Sequence, residues 1–199
     1  MPRRAALLAA LFPFAAGAAQ VVCALGSAAS AYKPGEDQRP TPDALELAGR
    51  LNAAVKSICH NTCPSVALFR NASAANVMLV ADAGQAKLIY APQFFSAAYE
   101  AYGDGGILAL MAHELGHALD DTLGAVWIKS TWPPELRADA WAGCVLARAD
   151  LAADEIESML EALAKYPAPA HPSWELRRPP FRAGFTECGG DPSKIGNSK

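Results

Sequence analysis

The chain has 199 residues, 52% of them hydrophobic, with 17 Lys and Arg against 20 Asp and Glu and a formal net charge of −3 at pH 7. That length fits one domain once a targeting segment is set aside. The slightly acidic balance argues against nucleic acid and anionic membrane surfaces as partners.

After Arg3 and Arg4 there is no charge from Ala5 to Ala31, where only Gln20, Ser27 and Ser30 are polar. A short basic start, an apolar stretch and small-x-small sites read as an export signal over residues 1–31. Cleavage fits after Ala19 (Gly17-Ala18-Ala19) or after Ala31 (Ala29-Ser30-Ala31). An uncleaved amino-terminal anchor is the alternative, because the apolar run is long enough to span a bilayer. Pro13 and the many alanines make it a weak membrane helix, which favours the cleaved signal. Either way the body, with no second apolar run of spanning length, is expected outside the cytoplasm, periplasmic or secreted. Nothing acidic leaves with residues 1–31, so the body is more acidic than the whole chain.

Residues 32–42 are rich in Pro and polar groups and are expected to be a flexible lead-in. The remaining 43–199 form the expected functional domain. Residues 43–58 carry Leu45, Leu47, Leu51, Val55 and Ile58 at helical spacing, with Thr41 as cap and Pro42 at the first position. The Cys59–Pro64 stretch ends that helix. Val66–Arg70, Val77–Val80 and Lys87–Tyr90 read as strands, separated by turn residues such as Asp82-Ala83-Gly84. Pro92 to Tyr102 reads as a helix closed by Gly103, and Asp104 caps another from about Gly106 to Leu119. A loop over 122–132 follows. Pro133 then opens a helix running to about Ala149. Asp150 and Asp154 surround the start of a further helix bearing Ile156, Met159, Leu160 and Leu163. The remaining tail is dense in Pro and Gly. A small sheet followed by packed helices is an α+β arrangement.

The five cysteines are Cys23, Cys59, Cys63, Cys144 and Cys188. Cleavage after Ala31 discards Cys23 and leaves an even number, suited to an oxidising compartment. Of the three possible pairings, the one expected joins the local Cys59 and Cys63 and staples the tail to a core helix through Cys144 and Cys188. The alternative, Cys59-His60-x-x-Cys63 as a metal half-site, is disfavoured because it lacks a second ligand pair at suitable spacing.

The chemistry sits in His113-Glu114-Leu115-Gly116-His117. Helix residues four apart share a face, with β-carbons about 5–6 Å apart, so both imidazoles can address one ion. Glu114 lies about 100° further round and can face a molecule bound to that ion. Two ligands and a positioned base in one rigid element are the mechanical content of this H-E-x-x-H pattern, and zinc needs in addition a third protein ligand and an open fourth position. Downstream, Glu135 and Asp139 share a helix face. Glu135 is the expected third ligand, with Asp120 and Asp121 as rivals. Asp139 is expected to hold the free ring N–H of a ligating histidine. Ala138, Ala142 and Gly143 are small enough to let that helix press against the first.

His113-Glu114-x-x-His117 followed by Glu135-x-x-Ala138-Asp139 resembles the gluzincin metallopeptidases, and within them the CAAX prenyl protease, HtpX and BepA family. Asn71-Ala72-Ser73-Ala74 is similar to that family's N-A-x-A stretch, and His171-Pro172-Ser173-Trp174-Glu175-Leu176-Arg177 to its H-P-x-x-x-x-R segment. The resemblance spans roughly Asn71 to Arg177. It departs in the absence of membrane helices around the core and in the short connection to Glu135. It implies a zincin-type fold, a Zn2+ cofactor, peptide-bond hydrolysis with Glu114 as the base, His171 near the metal or the scissile carbonyl, and Arg177 supporting the site. A protein or peptide substrate would pair with an exposed sheet edge, expected at Lys87–Tyr90. A zinc-bearing, proteolytically silent assembly or chaperone-like module, with His171 closing the open position, is the alternative.

Overall fold

A computed structural model describes residues 32–59, 62–82, 84–165 and 171–196, together with the backbone of 20–24. Both candidate cleavage points, the rest of the 1–31 segment, His60 and Ala83 lie outside these residues. The architecture is α+β. A four-stranded sheet contains β1 (Gln20–Ala24), β2 (Val66–Arg70), β3 (Val77–Asp82) and β4 (Gln85–Tyr90), in the order β1-β3-β4-β2. β3 pairs antiparallel with β1 and with β4, and β2 runs parallel to β4. The Lys87–Tyr90 strand is therefore an inner strand with a neighbour on each side, not the edge expected from its place in the sequence.

α1 (Pro42–Cys59) starts as its sequence demands: the Ala44 N–H donates to Thr41 Oγ1 at 3.3 Å, with Pro42 at the first position. Leu47, Leu51 and Val55 turn inward, while Leu45 faces solvent. The lead-in makes several hydrogen bonds to the rest of the fold. Asn71 Nδ2 donates to the Lys33 carbonyl and to Asp37 Oδ1, both at 2.9 Å. Lys87 Nζ and the Tyr32 hydroxyl both reach Asp37 Oδ2, and Gln38 bridges to Arg70. The reason is a buried asparagine that must satisfy its amide, and the lead-in carbonyls supply the acceptors.

α2 (Pro92–Thr122) is the central element. It breaks at Gly103, whose φ of 58° is left-handed, where the sequence placed the boundary between two helices. Beyond that break Ile107, Leu108, Leu110, Met111 and Leu119 are fully buried, so this half of α2 is apolar on nearly every side and threads the core. No described helix is long and apolar enough to cross a membrane.

α3 (Pro134–Ala147) packs on α2, α4 (Ala153–Lys165) also lies against α2, and α5 (Trp174–Glu187) closes over α3. α5 forms from the Pro- and Gly-rich tail despite Pro179 and Pro180 inside it. Tertiary packing offsets the missing N–H groups: Phe181 and Phe185 are buried, and Gly184 brings its backbone against Ala140 of α3. The expected disulfides are both present in the geometry, Cys59–Cys63 and Cys144–Cys188, each with 5.0 Å between α-carbons. The first removes both sulfurs from any metal half-site. The second closes a 44-residue separation between α3 and the end of α5. In the chain-entropy account a loop of that size stabilises by about 4 kcal/mol. Replacing Cys144 and Cys188 by Ser should lower unfolding free energy by that amount in a denaturant titration; an unchanged midpoint would show that α5 docks without its staple.

Candidate metal centre

Helix geometry brings His113 and His117 to one face of α2, and a backbone contact brings the third ligand to them. At Gly116, between the two histidines, any β-carbon would collide with the Ala138 carbonyl of α3. α2 and α3 therefore meet backbone to backbone, and Ala138 is itself fully buried. Glu135 lies one turn before that contact and Asp139 directly after it. Glu135 Oε2 comes within 3.2 Å of His113 Nε2 and 3.6 Å of His117 Nε2. One ligand atom from each of the three residues lies within 4.8 Å of the other two.

Behind this cluster runs a buried chain of charge. His113 Nδ1 is 2.9 Å from Asp139 Oδ1, which fixes that nitrogen as the donor. Arg177 then grips the same carboxylate with two bonds, Nε to Oδ2 at 2.9 Å and Nη2 to Oδ1 at 2.8 Å, and donates from Nη1 to the Leu163 carbonyl. His113 and Asp139 are fully buried and Arg177 is 1% exposed. Arg177 thus acts through Asp139 on the orientation of a histidine, one layer behind the His113–His117–Glu135 cluster.

Glu114 is fully buried too. Its Oε2 accepts the Leu79 N–H of β3 at 2.9 Å, while Oε1 has no hydrogen-bond partner among the described residues. His171 enters from the segment before α5, its Nε2 3.1 Å from His113 Nε2 and 2.6 Å from Glu135 Oε2. The rival ligands stay outside. Asp120 is held by Arg137 Nε at 2.6 Å, and Asp121 faces solvent.

Burial opposes charge on His113, but Asp139 outweighs it, with help from Glu135 and Glu114, and raises the imidazole to about 9. Burial likewise works against the Glu135 and Asp139 carboxylates. The surrounding imidazoles, and Arg177 for Asp139, override it and hold both below the usual carboxylate range. For Glu114 burial prevails and pushes its carboxyl up. A negative field that draws a proton onto a histidine draws a cation equally well. His117 Nε2 adds a buried nitrogen with no hydrogen-bond partner, aimed at the same point. Two imidazole nitrogens and one carboxylate oxygen are a donor set suited to zinc, and the residues present fit a metal ion.

The structure brings together six of the residues singled out from the sequence around His113: Glu114, His117, Glu135, Asp139, His171 and Arg177. The β3 contribution through the Leu79 N–H has no sequence signature, because a backbone donor is independent of the side chain. No protein-family model matches the chain, and no curated protein or solved structure matches it significantly.

Gly116→Val should force α2 and α3 apart, lowering stability by about 1–3 kcal/mol and weakening divalent-metal binding measured by chelator competition. Unaltered affinity would mean that the helix contact does not set the ligand spacing. Arg177→Met leaves Asp139 buried without its cation and should cost about 3–5 kcal/mol in thermal or denaturant unfolding. A loss below about 1 kcal/mol would show that Asp139 is held by other groups.

Proposed function

We propose that the protein is a zinc-dependent metalloendopeptidase of gluzincin type that hydrolyses peptide bonds in a protein of the cell envelope or of the exterior. One observation carries this: His113 Nε2, His117 Nε2 and Glu135 Oε2 converge from two helices, with the Glu114 carboxylate alongside and one of its oxygens without a partner. The zincin-type reading of the α+β fold rests on the same helices. The two disulfides suit an oxidising compartment and so support export.

Zinc, when bound, supplies Lewis-acid polarisation of the scissile carbonyl and makes water a nucleophile near neutral pH. The protein's own groups do the rest. Leu79 fixes one Glu114 oxygen, which aims the other at the attacking water; that oxygen takes the water proton and later delivers it to the departing amine nitrogen. Burial, which raises proton affinity at Glu114, suits a group that must hold the proton between the two transfers. Asp139 and Arg177 hold the ring of His113 in its ligating tautomer. In this reading His171, beside Glu135 and His113, donates to the oxygen of the carbonyl under attack.

A second reading is favoured by one contact. His171 Nε2 sits 2.6 Å from Glu135 Oε2, inside the cluster, and His171 is buried. In that position it serves as a fourth ligand and leaves a zinc-bearing, proteolytically silent assembly or chaperone-like module.

Purified wild type, Glu114→Gln and His171→Ala should be assayed for zinc content and for cleavage of an unfolded protein such as casein. The peptidase reading expects equimolar zinc in wild type and Glu114→Gln, with cleavage lost at least 100-fold in the latter, as removal of a general base entails. Undiminished cleavage by Glu114→Gln removes that residue from its role. Zinc with no cleavage in either wild type or His171→Ala favours the silent module.

A further inference from the structure

The sheet edge nearest the metal cluster is already filled by the chain's own amino-terminal segment. In an antiparallel ladder the N–H and C=O of a residue point to the same side. Leu79 sits opposite Leu88 of β4, yet its N–H goes to Glu114, so Leu79 turns its polar groups to the β1 side of β3. On that side lies the backbone of Gln20–Ala24, paired through Gln20 with Ala81, Val21 with Val80, Cys23 with Leu79 and Ala24 with Met78. The register is irregular between Val21 and Cys23, and this break falls beside Leu79, where the Glu114 carboxylate takes the N–H. His113 and Glu114 are fully buried.

We propose that the β1 side of β3 is a peptide-receiving edge, and that Gln20–Ala24 is its built-in occupant, which an extended peptide must displace to reach Glu114. The occupant indicates the chemistry of the ligand. Gln-Val-Val-Cys-Ala is uncharged, small and partly β-branched, so the edge suits an extended, uncharged segment of small or β-branched residues. A five-residue edge strand pairs weakly by itself, but its covalent tether gives it an effective concentration in the millimolar range against free peptide. Cutting the tether removes that advantage. The sequence offers two processing points with opposite consequences: cleavage after Ala19 keeps the occupant attached, and cleavage after Ala31 releases it. Regulation of hydrolysis by this device rests on the peptidase reading; peptide capture at the edge does not.

The test uses the full chain. Val21→Pro/Cys23→Pro removes N–H donors from β1. A second variant replaces residues 20–24 by Gly-Ser-Gly-Ser-Gly, in case proline lowers the melting temperature. The probe is a dye-labelled peptide copying residues 19–25 with Ser in place of Cys, its binding followed by fluorescence anisotropy and its integrity by mass spectrometry. At least tenfold tighter binding by either folded variant than by wild type supports the proposal. Equal affinity in wild type and in a variant with unchanged melting temperature overturns it. Whether the bound probe is cut bears on hydrolysis alone, so peptide capture without cleavage leaves the edge proposal standing and counts against the peptidase reading.

Discussion

The backbone contact between Gly116 of α2 and Ala138 of α3 is the constraint on which the centre depends. A helix pair separated by ordinary side chains lies about 8–10 Å apart, with side chains filling the space between the two backbones. Here the missing β-carbon at Gly116 and the single methyl at Ala138 remove that spacer. Glu135 and Asp139, one helical turn apart on α3, then straddle the contact, one in front of the imidazoles and one behind. The same device recurs on the far side of α3, where Gly143 meets Phe181 and Gly184 meets Ala140. α3 is thus clamped between two helices by backbone contacts, and its carboxylates have little freedom to drift.

Charge placement follows from that packing. Removing several ionisable groups from water is costly unless each finds a partner. Arg177 neutralises Asp139, Asp139 polarises His113, and Glu135 meets the imidazole nitrogens on the open side. Glu114 differs. It has one backbone N–H for one oxygen and no hydrogen-bond partner for the other. Such an unbalanced group, like His117 Nε2 in the same buried cluster, is where a molecule or ion from outside can be engaged.

Much of this was legible before the structure. The H-E-x-x-H spacing fixes its own geometry once the segment is helical, and Glu135 with Asp139 follows from the same period. Gly103 marks its helix break because only glycine takes that backbone conformation readily. The local pair Cys59 and Cys63 leaves Cys144 and Cys188 for one another. Other features escaped for physical reasons. α5 contradicts local propensity, with Pro179 and Pro180 inside it, and forms through packing against α3 and its disulfide. The lead-in looks loose by composition, yet Asn71 binds it through carbonyl groups that carry no sequence signal. β4 looks like an edge because it precedes the metal-site helix, whereas sheet order depends on pairings far apart in the chain. The Arg177–Asp139 pair spans 38 positions, beyond any periodic pattern.

Zinc K-edge X-ray absorption on the purified protein tests the central claim most directly. Convergence of His113, His117 and Glu135 on one ion predicts stoichiometric zinc, imidazole scattering from at least two histidines at about 2.0–2.1 Å and an oxygen ligand of similar length that is lost in Glu135→Ala. Absence of bound zinc, or a sulfur shell at about 2.3 Å, would contradict it.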